Sequence, residues 1–195
     1  REDSIESIFR QLHDLAEPSG QEERTSVLLA AYLRDFGYSV RDHVGGYGLV
    51  ATLPGKAEHP CIAFQADMDA LVYTIDGNTR AVHACGHDAN CAMVLDAART
   101  MARRSWPGTI KIIFQPAEEI FSGLAMLRDQ AADGIDVLVG LHLRPVQEAR
   151  LFQCTPSLLH SASRMLDVHI HGVAAHSARP HLGCNVIDAG AAAVN

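Results

Sequence analysis

Three short apolar runs, each ending beside charged or imidazole side chains, constrain the fold of this sequence most strongly. The runs cover residues 61–66, 109–114 and 136–141, and patterns typical of helices lie between them. Strands that alternate with helices predict an α/β fold. In open α/β sheets, ligands bind beyond the carboxyl ends of the strands, so a site is expected there.

The rest of the chain predicts further helices, a hairpin and the start of a second domain. Helical patterns cover residues 4–15, with Ser4 as the cap, and residues 22–36, and two short strands are predicted at 38–43 and 47–53. Near residues 155–157 the pattern changes to a half-exposed strand at 164–171 and a final helix from Val186. We therefore predict a first domain over residues 1–156 and the start of a smaller one over residues 157–195.

Composition excludes several classes of partner. The 195 residues carry a formal charge of −7 without a cluster of Lys or Arg, which argues against nucleic acid and anionic membranes. No apolar run approaches the roughly 20 residues of a membrane span. Five irregularly spaced cysteines predict a reduced, cytoplasmic protein rather than a disulfide framework. Small molecules or peptides are the expected partners.

Cys85 and His87 flank a single glycine, so that both side chains can reach one centre from the same loop. Thiolate and imidazole suit zinc and neighbouring metals, and carboxylates also suit manganese. His83 and Asp88 lie beside the pair and strengthen the interpretation. The loop therefore predicts part of a divalent metal site.

Glu118 and Glu119 follow a predicted strand directly, and His142 follows the next one. Adjacent carboxylates point in different directions, so one can bind a metal while the other accepts a proton from water. The sequence pattern does not decide which glutamate has which function. Asp67 and Asp69 lie at the end of the first of the three runs, at the same predicted edge.

Taken together, these segments resemble the successive motifs of the M20 family of metallopeptidases. The similarity rests on residues 65–71, 83–88, 114–119, 140–142 and 172–181, in order and at comparable separations. It is greatest for the amidohydrolase branch, which includes N-acyl-amino-acid, hippurate and indoleacetyl-amino-acid hydrolases. The resemblance implies an α/β, zinc-peptidase-like catalytic domain, with a mixed central sheet flanked by helices, and the start of a smaller α+β lid or dimerisation domain.

The resemblance also implies functions for individual residues. Two divalent metal ions, zinc or manganese with cobalt or nickel as further options, are expected on four ligands: Cys85, His87, Glu119 and His142. Glu118 is expected to be the general base, and His176 to stabilise the oxyanion, often across a homodimer formed by the lid. Three aspartates are expected to orient the ligands: Asp67, Asp69 and Asp88. No function is assigned to His83.

The predicted activity is metal-dependent hydrolysis of the amide bond of an N-acyl amino acid or a similar small amide. Two alternatives remain open. In the first, Cys85 is the nucleophile of a cysteine hydrolase with His142 or His87 as its base, which leaves Glu118 and Glu119 unused. In the second, the protein is a metal-binding or dimerising relative without catalysis, since relatives supply a further histidine ligand from a segment beyond this sequence. Asn90 also stands where relatives often have histidine.

Overall fold

The computed structural model describes residues 3–146, 148–154 and 166–194. Contacts divide the chain into two compact units, Arg1–Gln147 and Glu148–Asn195. The predicted domain boundary at 156/157 lies outside the described residues, and the assignment of the two parts as catalytic and lid domains stays a prediction. None of the described helices is long and apolar enough to cross a membrane.

Helices and strands alternate through the first unit. Its helices are α1 (Ile5–Leu15), α2 (Glu23–Asp35), α3 (His87–Ala102) and α4 (Gly123–Arg128). Its strands are β1 (Ser39–Val44), β2 (Gly48–Leu53), β3 (Cys61–Asp67), β4 (Leu71–Ile75), β5 (Asn78–Val82), β6 (Thr109–Gln115) and β7 (Val137–Gly140). The predicted helices and the five predicted strands are confirmed, as is the Ser4 cap, whose hydroxyl accepts a hydrogen bond from the Ser7 amide.

Five of these strands form a mixed sheet in the order β1-β2-β6-β3-β7. Strand β3 pairs in parallel with both β6 and β7, whereas β2 pairs antiparallel with β6 and β1. The predicted mixed central sheet is therefore confirmed. Because β3, β6 and β7 run in the same direction, the segments that follow them emerge at one edge of the sheet.

Helices cover both faces of this sheet. On strand β6, Ile112 and Phe114 belong to the main core with α1, α2 and α3, while Ile113 belongs to a smaller cluster that includes Met126 of α4. A strand buried on both faces needs apolar side chains at successive positions, which explains the unbroken apolar run of β6. This packing fixes the strand ends that carry the polar residues.

The hairpin formed by β4 and β5 was not predicted. Its strands pair antiparallel from Leu71↔Val82 to Ile75↔Asn78, around a two-residue turn in which Asp76 and Gly77 both have positive φ. An Asp-Gly pair with positive φ is typical of a tight hairpin turn. Most side chains of β4 and β5 are exposed, so the strands lack the apolar alternation that marks a half-buried strand.

The second unit contains the predicted last helix, α5 (Val186–Val194), and a 3-10 turn at Pro180–Leu182. An isolated bridge joins Val173 to Cys184. The predicted strand at 164–171 is only partly described, and its described residues, 166–171, form no strand. A segment with alternating polarity forms a strand only where another strand pairs with it, and none of the described segments pairs with residues 166–171.

Tyr38 gives the fold a testable dependence on pH. Its side chain is 4% exposed, its hydroxyl donates to the Ala98 carbonyl over 3.1 Å, and burial raises the pKa of Tyr38 to about 12. Since the ordinary value is about 10, the neutral phenol stabilises the fold below pH 10, and this contribution is lost as pH rises toward 12. These two pKa values set the range in which the effect should appear, about pH 9.5 to 11.5. In this range, we expect urea denaturation to show a steeper loss of stability in the parent protein than in Tyr38→Phe.

The substitution Tyr38→Phe should itself lower stability at neutral pH by about 1 kcal/mol, because the hydrogen bond to Ala98 is lost. Tyr73, which is 43% exposed, provides the control Tyr73→Phe. An equal alkaline loss of stability in the parent protein and in Tyr38→Phe would contradict the assignment of the effect to this phenol.

Candidate metal centre

The ends of three parallel strands place the predicted site residues together. Asp67 is the last residue of β3, the Glu118–Glu119 pair follows β6, and His142 follows β7. His87 is the first residue of α3. The edge of the sheet at which the sequence predicts a site is therefore the edge at which these polar side chains lie.

Gly86 allows the short loop before α3 to present two ligands. It is the N-cap of α3 and has φ 86 and ψ 20, a left-handed conformation that residues with a Cβ rarely adopt. Cys85 and His87, on either side of it, both reach the same site: the Cys85 Sγ lies 3.4 Å from His142 Nε2, and the rings of His87 and His142 meet edge to face with centroids 5.5 Å apart. One ligand atom from each of these three residues lies within 4.8 Å of the others.

One ring nitrogen of His87 contacts Asp69, and the other has no hydrogen-bond partner. Its Nδ1 lies 3.0 Å from the Asp69 carbonyl oxygen and 3.2 Å from Asp69 Oδ1, whereas its buried Nε2 has no hydrogen-bond partner. A metal-binding histidine usually has this arrangement, with the distal nitrogen held by a carbonyl or carboxylate. Burial lowers the pKa of His87, but its hydrogen bond to Asp69 and the charge of Asp67 raise it to about 8. The set of sulfur and nitrogen donors fits a divalent ion such as zinc.

A second group of candidate ligands shares His87. Ligand atoms of Asp67, His87 and Glu118 also lie within 4.8 Å of one another, and His87 Nε2 lies 4.0 Å from Glu118 Oε2. With Nδ1 turned toward Asp69, His87 has a single lone pair for a metal, on Nε2. Both groups would therefore use the same His87 nitrogen.

The two adjacent glutamates occupy different environments. They begin a 3-10 turn, Glu118–Ile120, bounded by left-handed residues at Ala117 and Phe121. The Glu118 side chain is 43% exposed, and burial together with the negative charges of Asp67 and Glu119 raises its pKa. Glu119 has a buried Oε1 without a hydrogen-bond partner, and its amide donates to Asp69 Oδ2 over 3.1 Å. The two carboxylates therefore differ in environment, as would be expected if one accepts a proton and the other binds a metal.

Asp69 links three segments of the site. It accepts the Ser19 hydroxyl at 2.6 Å and the Glu119 amide at 3.1 Å, and it faces His87. Burial raises its pKa, but the interaction with His87, followed by the hydrogen bonds from Ser19 and the Glu119 amide, outweighs burial and lowers the pKa of Asp69 to about 2. Asp69 is thus placed to orient both His87 and Glu119.

The other two predicted orienting aspartates differ from Asp69. Asp67 accepts the Gln65 side-chain amide at 2.6 Å, and burial raises its pKa. Asp88 is buried, but its carboxylate bonds His13 Nδ1 at 2.6 Å and the Ala89 amide at 2.8 Å rather than a predicted metal ligand. The structure therefore brings Asp67 to the site and directs Asp88 toward α1.

Asn90 and His83 complete the surroundings. The Asn90 Oδ1 accepts the Leu143 amide at 3.1 Å, and the Leu143 carbonyl lies 2.6 Å from His142 Nδ1, so Asn90 fixes the residue that orients the His142 ring. Both ring nitrogens of His83 are buried without a hydrogen-bond partner, and its ring lies 6.5 Å from that of His13. These contacts assign no chemical function to His83.

Cys85 lies in negatively charged surroundings. Burial, followed by the charge and hydrogen bond of Glu119 and the charges of Glu118 and Asp67, raises the pKa of Cys85 to about 11. Reactive cysteines instead lie in positive surroundings that lower the pKa of the thiol. A cation bound among these carboxylates would reverse this effect and favour the thiolate.

Three further residues bear on the comparison with the sequence: His176, Ser19 and Glu22. His176 is in the second unit, where it is exposed and its Nδ1 accepts the Ala178 amide at 3.1 Å. Its predicted function in the reaction stays a prediction. Ser19 and Glu22, which both contact the site segments, were not predicted, because Ser19-x-x-Glu22 at the start of a helix has the pattern of an ordinary capping box.

Several known proteins are similar to this chain in sequence or in fold. The N-acetyl-L-cysteine deacetylase of Bacillus subtilis is 34% identical, with 95% of this chain and 47% of that protein aligned. The N-acyl-L-amino acid amidohydrolase of Geobacillus stearothermophilus is 32% identical, with 95% of this chain and 53% of that protein aligned. This chain therefore spans about half the length of the curated relatives it matches.

Among solved structures, a protein of Bacillus subtilis described as a dinuclear metal-binding peptidase of the M20 family has a TM-score of 0.66 and 29% identity, over 73% of this chain and 43% of that one. A sequence model of peptidase family M20/M25/M40 matches residues 63–192. That match includes the ends of β3, β6 and β7 and every predicted site residue. The chain belongs to peptidase family M20/M25/M40.

Proposed function

We propose that the protein hydrolyses the amide bond of N-acyl amino acids or similar small amides with the help of divalent metal ions. The observation that carries the proposal is the buried, unpartnered Nε2 of His87, with Glu118 Oε2 at 4.0 Å and the Cys85–His142 pair beside it. A free imidazole nitrogen among a thiol, a second imidazole and carboxylates suits a metal ion that also needs a base nearby.

The relatives support the substrate class. The names of two of them specify N-acetyl-L-cysteine and N-acyl-L-amino acids, and a third, from Campylobacter jejuni, is a hippurate hydrolase 30% identical to this chain. These substrates share an acyl group joined by an amide to an amino acid. Since the chain spans about half the length of these relatives, the activity remains a proposal for the protein as a whole.

In the proposed mechanism, Cys85, His87, Glu119 and His142 would hold two divalent ions, zinc or manganese, with cobalt or nickel as alternatives. Bound ions would polarise the scissile carbonyl and acidify water. Glu118 would accept a proton from the attacking water and return it to the departing amine, and its raised pKa suits a base working near neutral pH. Asp69 would hold His87 through Nδ1, and His176 would stabilise the oxyanion.

The resemblance also motivates a homodimer through the second unit. A cytoplasmic location stays a prediction from the irregular spacing of the five cysteines. Analytical ultracentrifugation of the purified protein tests the dimer directly, and a single monomeric species at micromolar concentration would contradict it.

One observation favours a cysteine hydrolase as a second candidate: the 3.4 Å contact between Cys85 Sγ and His142 Nε2. Three carboxylates act against it, since the charges of Glu119, Glu118 and Asp67 all raise the pKa of the Cys85 thiol. A nucleophilic thiol is activated by a lowered pKa. The surroundings therefore suit a metal ligand better than a nucleophile.

Chelation and reconstitution distinguish these functions. We expect hydrolysis of a panel of N-acetyl and N-benzoyl amino acids to stop after treatment with a chelator and to return with zinc or manganese, measured as release of the free amino acid. Activity that resists chelation but is lost on thiol alkylation would favour the cysteine hydrolase. Stoichiometric metal binding without turnover of any substrate would favour a relative that has lost catalysis.

A further inference from the structure

Glu22 is a buried carboxylate that the proposed mechanism does not use. It is 0% exposed and lies immediately before α2. Its Oε1 accepts two backbone hydrogen bonds, from the Gly20 amide at 2.8 Å and from the Ala117 amide at 2.7 Å. Because Ala117 directly precedes Glu118, the second bond joins the start of α2 to the segment that carries both proposed functional glutamates.

The turn at Ala117 needs such a contact. Ala117 has φ 49 and ψ 40, a left-handed conformation that is unfavourable for a residue with a Cβ. Its carbonyl accepts the amides of Ile120 at 3.3 Å and Ser122 at 3.1 Å, which closes the turn behind the glutamates. The hydrogen bond from its amide to a carboxylate is of the stronger, charge-assisted kind.

The loop that ends at Glu22 also holds the Asp69 segment. The Ser19 hydroxyl donates to Asp69 Oδ2 at 2.6 Å, and the Ala70 amide donates to the Glu17 carbonyl at 2.8 Å. Asp69 Oδ2 in turn accepts the Glu119 amide. Residues 17–22 therefore connect the two segments that place His87 and the glutamate pair.

Stability alone does not account for a glutamate at this position. The second oxygen, Oε2, is buried with no hydrogen-bond partner, and burying such an atom is unfavourable. A shorter or neutral acceptor would satisfy the Gly20 amide locally. The long side chain of Glu22 is needed instead to reach the Ala117 amide, which belongs to a segment 95 positions away in the sequence.

We infer that Glu22 is a positioning residue that holds the left-handed turn at Ala117, so that Glu118 faces His87 Nε2 and Glu119 lies among the metal ligands. This inference rests on the proposed function, because it gives Glu22 its importance through those two glutamates. Glu22 does not touch the reacting atoms and acts through the backbone of Ala117.

Three variants of the full-length protein test the inference. Glu22→Ala removes the acceptor, Glu22→Asp keeps the charge but shortens the reach, and Glu22→Gln keeps a carbonyl oxygen that can accept both amides. The exposed neighbour Glu23 supplies the matched control Glu23→Ala. Folding is monitored by circular dichroism, and Glu22→Asp and Glu22→Gln keep the test decisive if Glu22→Ala does not fold.

We expect Glu22→Asp and Glu22→Ala to lower kcat by about 10–100-fold per metal-loaded site, the range typical of residues that orient metal-site groups, with KM changed less than about threefold. Glu22→Gln should retain kcat within about threefold of the parent, because its carbonyl replaces Oε1. The zinc affinity of the Asp and Ala variants, measured by competition with a chelating dye, should fall by about tenfold because Glu119 is displaced.

The double variant with Glu118→Ala isolates the route of action. If Glu22 acts on kcat through Glu118, then Glu22→Asp should change the residual kcat of Glu118→Ala, per metal-loaded site, by less than about twofold, since coupled effects are not additive. A parent protein without metal-dependent activity would overturn the proposed function, while the dye competition would still test Glu22. An active parent whose kcat and zinc affinity are as insensitive to Glu22→Asp as to Glu23→Ala would overturn the inference alone.

Discussion

Replacing Glu118 with alanine is expected to lower kcat by about 10²–10⁴-fold, the contribution typical of a general base, while the metal content stays unchanged. Glu118 is 43% exposed and lies 4.0 Å from His87 Nε2, and its raised pKa, due first to burial, brings it closer to the working pH of a base. Single-turnover rates and metal analysis of the same preparation measure both quantities. Glu118→Gln should be equally slow, because an amide does not accept the proton.

Two other glutamates supply the controls for Glu118. Glu119→Ala should lose metal as well as activity, because Glu119 is the proposed ligand and its Oε1 is buried without another partner. Glu58→Ala, at an exposed position, should change neither. Full turnover by a metal-loaded Glu118→Ala protein would show that another group takes the proton.

Replacing Cys85 with alanine is expected to weaken metal binding more than the roughly 10–100-fold typical of an outer-shell partner, because a direct ligand is lost. The Cys85 Sγ lies within 4.8 Å of candidate ligand atoms on His87 and His142. Competition with a chelating dye at several pH values measures the affinity. In the same variant, turnover should return in part when zinc or manganese is supplied in excess.

Partial rescue by metal separates a ligand from a nucleophile. A cysteine nucleophile itself forms the covalent bond to the substrate and is released again in each turnover, so no concentration of metal would restore activity to Cys85→Ala. Cys154→Ala removes an exposed thiol and serves as the control. Unchanged metal affinity in Cys85→Ala, together with activity that metal cannot restore, would favour the cysteine hydrolase.

Much of this fold was predictable because its main elements carry strong local patterns. The three apolar runs became β3, β6 and β7, and the helical stripes became α1 to α4, since burial on both faces or on one stripe dictates those patterns. The β4–β5 hairpin was not predicted, although its Asp76-Gly77 turn is a strong signal, because its exposed strands carry no apolar alternation.

The site was predictable in its residue types and less so in its connections. Asp67, the glutamate pair and His142 could be predicted because they end or follow strands, and the carboxyl ends of parallel strands lie at one edge of a sheet. Ser19 and Glu22 make contacts across 50 and 95 positions of sequence, which no local pattern encodes. Asp88 lies beside His87 in the sequence, and for that reason it was predicted to orient a metal ligand. In the structure its carboxylate instead forms a hydrogen bond with His13 on α1.

The central claim is that Cys85, His87, Glu119 and His142 hold metal while Glu118 stays free as the base. Anomalous scattering from crystals of the zinc-loaded protein tests this claim most directly, because it shows which atoms of the two candidate groups bind the ion. We predict an ion bonded to Cys85 Sγ and His87 Nε2, with no bond to Glu118. An ion held by Asp67, His87 and Glu118, with the Cys85 thiol unbound, would contradict the proposed ligand set and the proposed base together.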